Sequence, residues 1–302
     1  MVKVAIVKGN EPITMTRQAL TLIKATNVLH ADDRVLIKPN CVVPKPPSTG
    51  ITTDPRVVEG VIDFVKACGV TQITIAEGGN PGTTRAFEIT GLQAVADTHG
   101  IPLINLNMDK GVRVEIPTAH ALHQVMIART VLESTCIINI PTLKIHHMTQ
   151  VTLSLKNLMG TIVGNRGAIM HPQIDTKLVD LARVVRPTLN IVDGLIGAEM
   201  DETHGRPVPV GIVIAGTDPV AVDTVGAAVM GVDPLTVRHL QLAAQQGLGI
   251  GALSEITVEG DPISAVATRF SQALSEEKLR TSYGLTDTTI SRTQLRALWE
   301  QR

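Results

Sequence analysis

Aromatic side chains are nearly missing from this chain of 302 residues: Phe, Tyr and Trp together make up 2%. Single-stranded nucleic acid needs rings to stack on, and any nucleic acid needs a basic footprint. The formal net charge is −1 and no run of Lys or Arg occurs, so nucleic acid is not the expected partner. Cysteine is scarce too. Cys41, Cys68 and Cys136 are odd in number and far apart, which argues against a disulfide framework and for a reduced, cytoplasmic setting. Uninterrupted apolar runs are absent as well. The longest, over 208–232, is broken by Asp218, Pro219 and Asp223, so no membrane span is expected. The opening MVKVAIVKGN has a strand pattern and not the apolar region and small-residue cleavage site of a signal peptide. Finally, the chain has no Gly-x-Gly-x-x-Gly, Walker loop, Gly-x-Ser-x-Gly elbow or zinc spacing, which removes the common nucleotide, hydrolase and zinc readings.

What is present is core material. Hydrophobic residues make up 44% and charged residues 18%, as in a well-buried globular protein. Short β-branched runs alternate with loops and helical patterns. Residues 2–7, 35–38, 73–76, 103–106, 136–140, 189–192, 210–215 and 256–258 read as strands, and 112–116 with 124–127 reads as a hairpin. Asp54-Pro55, Asp218-Pro219 and Asp233-Pro234 start helices, a carboxylate capping and Pro in the first turn. The expected fold is α/β, a mostly parallel twisted sheet with helices on both faces and a smaller second lobe. Residues 1–271 form the α/β domain, and the polar stretch 272–302 forms an appendage with a short helix around 295–299.

The polar residues of interest follow the apolar strands. In an open parallel sheet, ligands bind beyond the carboxyl ends of strands, where strand order reverses. Lys38 and Asn40 follow the second strand, Glu77 the third, Lys144 and His146 the strand over 136–140, and Asp193 and Asp218 later ones. The stretch TCIINIPTLKIHHMTQVTLSLKNLMG (135–160) is the densest of these: a buried strand ended by Pro141, a turn over 143–149, and a helix over 153–159. Lys144 and His146, two residues apart, face one crevice, while His147 points away. Lys156 lies in an apolar helical run and needs a partner, Asp193, Glu77 or a bound anion. Asn157 offers a donor and an acceptor. Against these readings stand salt-bridged lysines, a solvated loop and ordinary helix caps, and Asp218 reads as a cap.

The segment DGLIGAEMDETHGR (193–206) gathers carboxylates and His204. It reads as a mobile acidic loop, or else as a divalent-cation site through Asp201 and His204. EGGNPG (77–82) before a helix offers backbone amides to an anion.

VLIKPN (35–40), TTDPRVVEGVIDFVKACG (52–69), IINIPTLKIH (137–146), LKNLMG (155–160), IVDG (191–194) and AGTDPVAVD (215–223) together resemble the domain of unknown function 362 family over about 35–249. The resemblance implies no settled activity. Many members carry a ferredoxin-type cysteine-rich insert; Cys41, Cys68 and Cys136 supply neither the four thiolates nor the spacing of an iron–sulphur cluster, so that cofactor is not expected. A looser likeness, at the level of the fold, is to the N-terminal domain of the nickel-pincer lactate racemases, and it implies Lys and His acting on a carboxylate.

The leading expectation is an enzyme for a small anionic metabolite, carboxylate or phosphate, with proton transfer ahead of hydrolysis. Lys144, His146 and Lys156 are its catalytic residues, and Lys38, Asn40, Glu77, Asn157 and Asp193 bind substrate. The alternative is a non-catalytic metal or cofactor binder, accessory to a redox system, holding a divalent metal on Asp201 and His204. Its partner is a small-molecule ligand in either case, and a homo-oligomer is compatible with both.

Overall fold

The computed structural model describes residues 1–273; the polar segment 274–302, with the short helix expected around 295–299, lies outside them. Among the described residues twelve strands form: β1 (Val2–Lys8), β2 (Arg34–Pro39), β3 (Gln72–Glu77), β4 (Leu103–Asn105), β5 (Gly111–Glu115), β6 (Gln124–Ala128), β7 (Cys136–Ile140), β8 (Thr142–His146), β9 (Gln150–Val151), β10 (Leu189–Glu199), β11 (Arg206–Gly216) and β12 (Ile256–Gly260). The large sheet runs in the order β12-β1-β11-β10-β7-β2-β3-β4, and β5 and β6 make a separate antiparallel pair. Most neighbours in the large sheet are parallel; the exceptions are β11, antiparallel to both β1 and β10, and the small pairing of β8 with β9.

Side chains alternate across each strand and fill two cores. Val4, Ile6, Leu36, Ile137 and Ile214 pack on one face, with helices Ile174–Val184 and Pro219–Val229. Ala5, Val7, Val35, Ile37, Ile138 and Ala215 pack on the other, with helices Pro12–Leu22 and Pro55–Ala67. A sheet covered on both faces explains why its central strands read as continuous apolar runs.

Three expectations are corrected. Residues 143–149 were expected as a turn, but the chain resumes a strand immediately after Pro141. The Pro141 carbonyl accepts the Asp193 N–H (2.8 Å), and β8 continues the ladder along β10 from Asp193↔Thr142 to Ala198↔Lys144 through an irregularity. Proline ends the donor pattern of a ladder but not its acceptor pattern. Likewise the acidic segment is not a free loop: its first half extends β10 to Glu199, and residues 200–205 close a hairpin into β11. A tight connection can only join antiparallel strands. Asp218, after β11, therefore lies at the opposite end of the sheet from the other strand-end residues, where it caps helix Pro219–Val229 through Val220 and Ala221 N–H.

Candidate functional site

From β2 the chain steps outward to β3 and β4, then returns by way of the β5–β6 pair to place β7 on the other side of β2. Strand order reverses between β2 and β7, the position where an open sheet leaves a crevice. β2 stops at Pro39, paired with Ile140, while β8 runs on beside β10. The gap so formed is a cavity of ≈190 Å³ bordered by Asn40, Glu77, Lys144, His146, Lys156, Asn157 and Arg166, among others.

Lys144 is 1% exposed. Its ammonium group donates to Asn40 Oδ1 (2.7 Å) and to the Ile51 carbonyl (2.8 Å). Asn40 is fixed in turn, because its Nδ2 donates to Asn157 Oδ1 (2.7 Å), Asn157 Nδ2 to Asn139 Oδ1 (2.8 Å), and Asn139 Nδ2 to Asn190 Oδ1 (3.1 Å). This chain of amides runs in one direction across β2, β7 and β10. Burial, joined by the neighbouring Lys156 charge and against the pull of Glu202, lowers the Lys144 pKa to about 7. The cause is desolvation of a cation whose partners are neutral.

Lys38 is equally buried, but its Nζ meets Glu77 Oε2 at 2.5 Å. Burial pulls its pKa down while Glu77 opposes the shift. The pair forms one wall of the site, and Gly160 covers it: a Cβ there would come within 2.3 Å of Glu77 Oε1 and 2.8 Å of Lys38 Nζ.

Lys156 and Asn157 belong to the short helix Leu153–Asn157. Its start is strained, Leu153 having φ 48°, and it is held by Asp223, which accepts Ser154 N–H (2.7 Å) and Leu155 N–H (2.9 Å). The Lys156 ammonium has no hydrogen-bond or ion-pair partner among the described residues, and burial brings its pKa to about 8.

His146 is 5% exposed and its Nδ1 accepts the Met148 N–H (3.1 Å). Burial and then the Lys156 charge hold it well below the ordinary histidine range. A neutral ring whose Nδ1 is an acceptor carries its proton on Nε2. His147, expected to point away, instead stacks on His146 with centroids 5.0 Å apart and meets Glu202 Oε1 at 2.8 Å.

The structure thus brings together Lys38, Asn40, Glu77, Lys144, His146, Lys156 and Asn157. Asp193 is set back from the cavity: its carboxylate accepts Asp54 N–H (2.7 Å) and Leu195 N–H (3.1 Å), anchoring the start of helix Pro55–Ala67. Asp201 and His204 do not border the cavity either; Asp201 accepts Thr203 and His204 N–H within the hairpin. The EGGNPG turn presents carbonyls and not amides, those of Gly78 and Gly79 accepting from the Arg166 guanidinium.

Sequence reasoning missed Arg166, His171, Asn139, Asp223 and the placing of Glu202. Asn139 and Asp223 carried a signal, a polar residue inside an apolar strand or helix. Arg166 carried none, since it lies in a polar segment.

Among the described residues, His146, His147 and Glu202 are the group whose ligand atoms gather within 4.8 Å of one another. The cysteines do not fit an iron–sulphur cluster. Such a cluster takes four ligands, whereas Cys136 lies at the start of β7, Cys41 beyond the end of β2, and Cys68 caps helix Pro55–Ala67.

Among the described residues no helix is long and apolar enough to cross a membrane. The Thylakoid-associated protein sll1697 of Synechocystis sp. is 28% identical to this chain over 235 residues, which are 74% of this chain and 70% of that protein. The family described as "Domain of unknown function (DUF362)" matches residues 35–228, within the span of 35–249 read from the six sequence blocks. It covers β2 through nearly all of helix Pro219–Val229, including every residue named around the cavity, and the chain belongs to the DUF362 family.

Proposed function

We propose that this protein is an enzyme acting on a small anionic metabolite, a carboxylate or phosphate, by proton transfer at the β2/β7 crevice. The observation that carries this reading is the balance of charge. Lys144, Lys156 and Arg166 border the cavity, while of the two carboxylates there, Glu77 is engaged by Lys38 and Glu202 by His147. The surplus is cationic and in part desolvated, so an anion entering it is attracted more strongly than in water. At ≈190 Å³ the cavity is below the range of about 300–1,000 Å³ that holds drug-sized molecules, which favours a small occupant.

Lys144, with a pKa of about 7, is the proton-transferring group, since a catalyst whose pKa lies near the working pH exchanges protons most effectively. Lys156 and Arg166 hold the anion. His146, as a neutral ring with Nε2–H, serves as a donor to the oxygen on which charge develops. Asn40 and Asn157 fix Lys144. We place the protein in the cytoplasm, on its reduced cysteines.

A screen of small carboxylates and phosphates by thermal shift tests the reading, because a ligand of the folded state must raise its melting temperature. The expected result is a stabilising small anion that the wild type turns over. A folded Lys144→Ala variant that keeps full turnover of that compound would sink the assignment.

A second reading, a metal-binding protein, draws on the gathering of His146, His147 and Glu202. Two features weigh against it: the proton on His146 Nε2 must leave before that nitrogen can ligate, and three cations border the same cavity. Elemental analysis of the purified protein separates the two, stoichiometric metal lost in His147→Ala supporting the second.

A further inference from the structure

We propose that Lys144 is a nucleophile that condenses with the carbonyl group of a small oxo acid to form an imine, an inference that rests on reading the cavity as a small-anion site. The amine nitrogen has three positions besides its bond to Cε. Two are directed at fixed neutral acceptors, Asn40 Oδ1 and the Ile51 carbonyl. Asn40 can only accept there, because its amide nitrogen is committed to Asn157 and the Asn157 amide to Asn139. The third position is left for the cavity that Lys144 borders. When the nitrogen is neutral, that position holds its lone pair. No carboxylate forms an ion pair with Lys144 among the described residues, so loss of the proton is opposed chiefly by the more distant pulls of Glu202 and then Glu77. Desolvation together with a second cation nearby is a recognised way to activate a lysine toward carbonyl carbon.

The surroundings match the rest of the reactant. Lys156, unpaired among the described residues, is the anchor for a carboxylate beside the carbonyl. His146 lies two residues along β8 on the same face as Lys144, and its Nε2–H is a donor for the carbonyl oxygen. In the condensation the lysine nitrogen attacks the carbonyl carbon, the C=O double bond breaks completely and a C=N double bond forms. Both amine protons leave with the oxygen as water, and no oxidant or reductant is consumed. A proton taken up by the product gives an iminium whose single N–H is accepted by Asn40 Oδ1 or the Ile51 carbonyl.

The test is reductive trapping on the full chain. Protein at pH 7 is incubated with pyruvate, glyoxylate or oxaloacetate and cyanoborohydride, then digested and mapped by mass spectrometry. At pH 7 an ordinary lysine, with a pKa of about 10.4, is neutral in only about one part in a few thousand, whereas burial leaves a far larger share of Lys144 neutral. The expected result is one adduct, on Lys144, formed at least about tenfold faster than on any exposed lysine, with a rate that levels off above pH 7. Lys156→Gln, which leaves Lys144 and its two acceptors in place, slows trapping severalfold. Adducts spread over surface lysines, or none at all, overturn the imine.

A parallel thermal shift with succinate and lactate, which lack a reactive carbonyl, separates the two levels of inference. If these anions stabilise the protein and Lys156→Gln abolishes the effect while no adduct forms, the anion site stands and the imine falls. If they do not bind and no adduct forms, both fall.

Discussion

Lys38 and Lys144 make an internal comparison. Both lie near the ends of strands that flank the same crevice, both are essentially fully buried, and both follow apolar runs in the sequence. Lys38 faces Glu77 at 2.5 Å; Lys144 faces an amide oxygen and a backbone carbonyl. A buried charge with an opposite charge against it has the pull of burial opposed at contact, as Glu77 does for Lys38, and the pair is a fixed part of the wall. One answered only by dipoles is held near the point where it gives up its proton. Burial alone therefore does not mark a reactive lysine; the partner decides.

The largest effect that tests this contrast is on the compensated side. Glu77→Gln leaves the Lys38 charge buried without its partner, and the stability lost in chemical denaturation should be about 3–5 kcal/mol. The double variant Lys38→Met/Glu77→Leu should recover most of it, because an apolar pair of similar volume removes both desolvation costs. A loss below about 1 kcal/mol for Glu77→Gln would mean that the pair is not needed to keep Lys38 charged, and the distinction between the two lysines would collapse.

Lys144 should show itself in the pH dependence of stability. Its folded pKa, about 7, lies below its unfolded one, so between these values the unfolded chain holds the extra proton. Stability then rises with pH across that window, by at most about 1.4 kcal/mol per pH unit. Below pH 7 the group is protonated in both states and the full burial penalty applies. Relative to Lys144→Met, the wild type should gain stability from pH 7 toward pH 10. Asp193 and Asp223, which burial raises to about 7, act in the opposite sense and below that window, costing stability as pH climbs from about 4 to 7. Parallel curves for the wild type and Lys144→Met above pH 7 would show that Lys144 is not perturbed.

A third variant turns one lysine into the other. Asn40→Asp gives Lys144 the carboxylate that Lys38 has, and an opposite charge at that distance should raise its pKa by about 1–3 units. Turnover, and trapping by oxo acids, should fall about tenfold or more at pH 7 and return as the pH is raised. A rate unchanged at neutral pH would separate the activity from the protonation of Lys144.

Much of this arrangement was legible in the sequence, and the parts that were not have definite physical causes. Strand-end lysines and asparagines stand out because a polar residue within an apolar run contradicts the periodicity around it, which is how Lys38, Lys144, Lys156 and Asn157 were found. The direction of β11 was not legible, since an apolar strand reads the same whichever way it runs, and Asp218 was accordingly placed with the wrong strand ends. Pro141 was read as a stop because proline cannot donate, yet its carbonyl keeps the ladder going. Glu202 and Arg166 come from polar segments, where nothing in the local pattern separates a cavity residue from a solvated one. Lys38 and Lys144 look alike in the sequence because the identity of a partner is a tertiary fact: Glu77 comes from β3 and Asn40 from the loop after β2.

The smallest effect on stability is expected at the lysine that neither ion-pairs nor hydrogen-bonds. Lys156 is half-buried and its ammonium contacts no acceptor among the described residues, so Lys156→Gln removes no hydrogen bond, relieves the burial penalty that depresses its pKa, and should lower stability by no more than about 0.5 kcal/mol. Its charge nevertheless depresses both Lys144 and His146. Removing it should weaken binding of a small carboxylate about tenfold, the typical worth of a charge-assisted hydrogen bond, and shift the pH profile of Lys144 upward. Calorimetric titration of the wild type and the variant with the same carboxylate measures the first effect, and the rate profile measures the second. If affinity is unchanged while stability falls, Lys156 is a structural cation like Lys38, and the crevice holds one unusual lysine instead of a pair acting together.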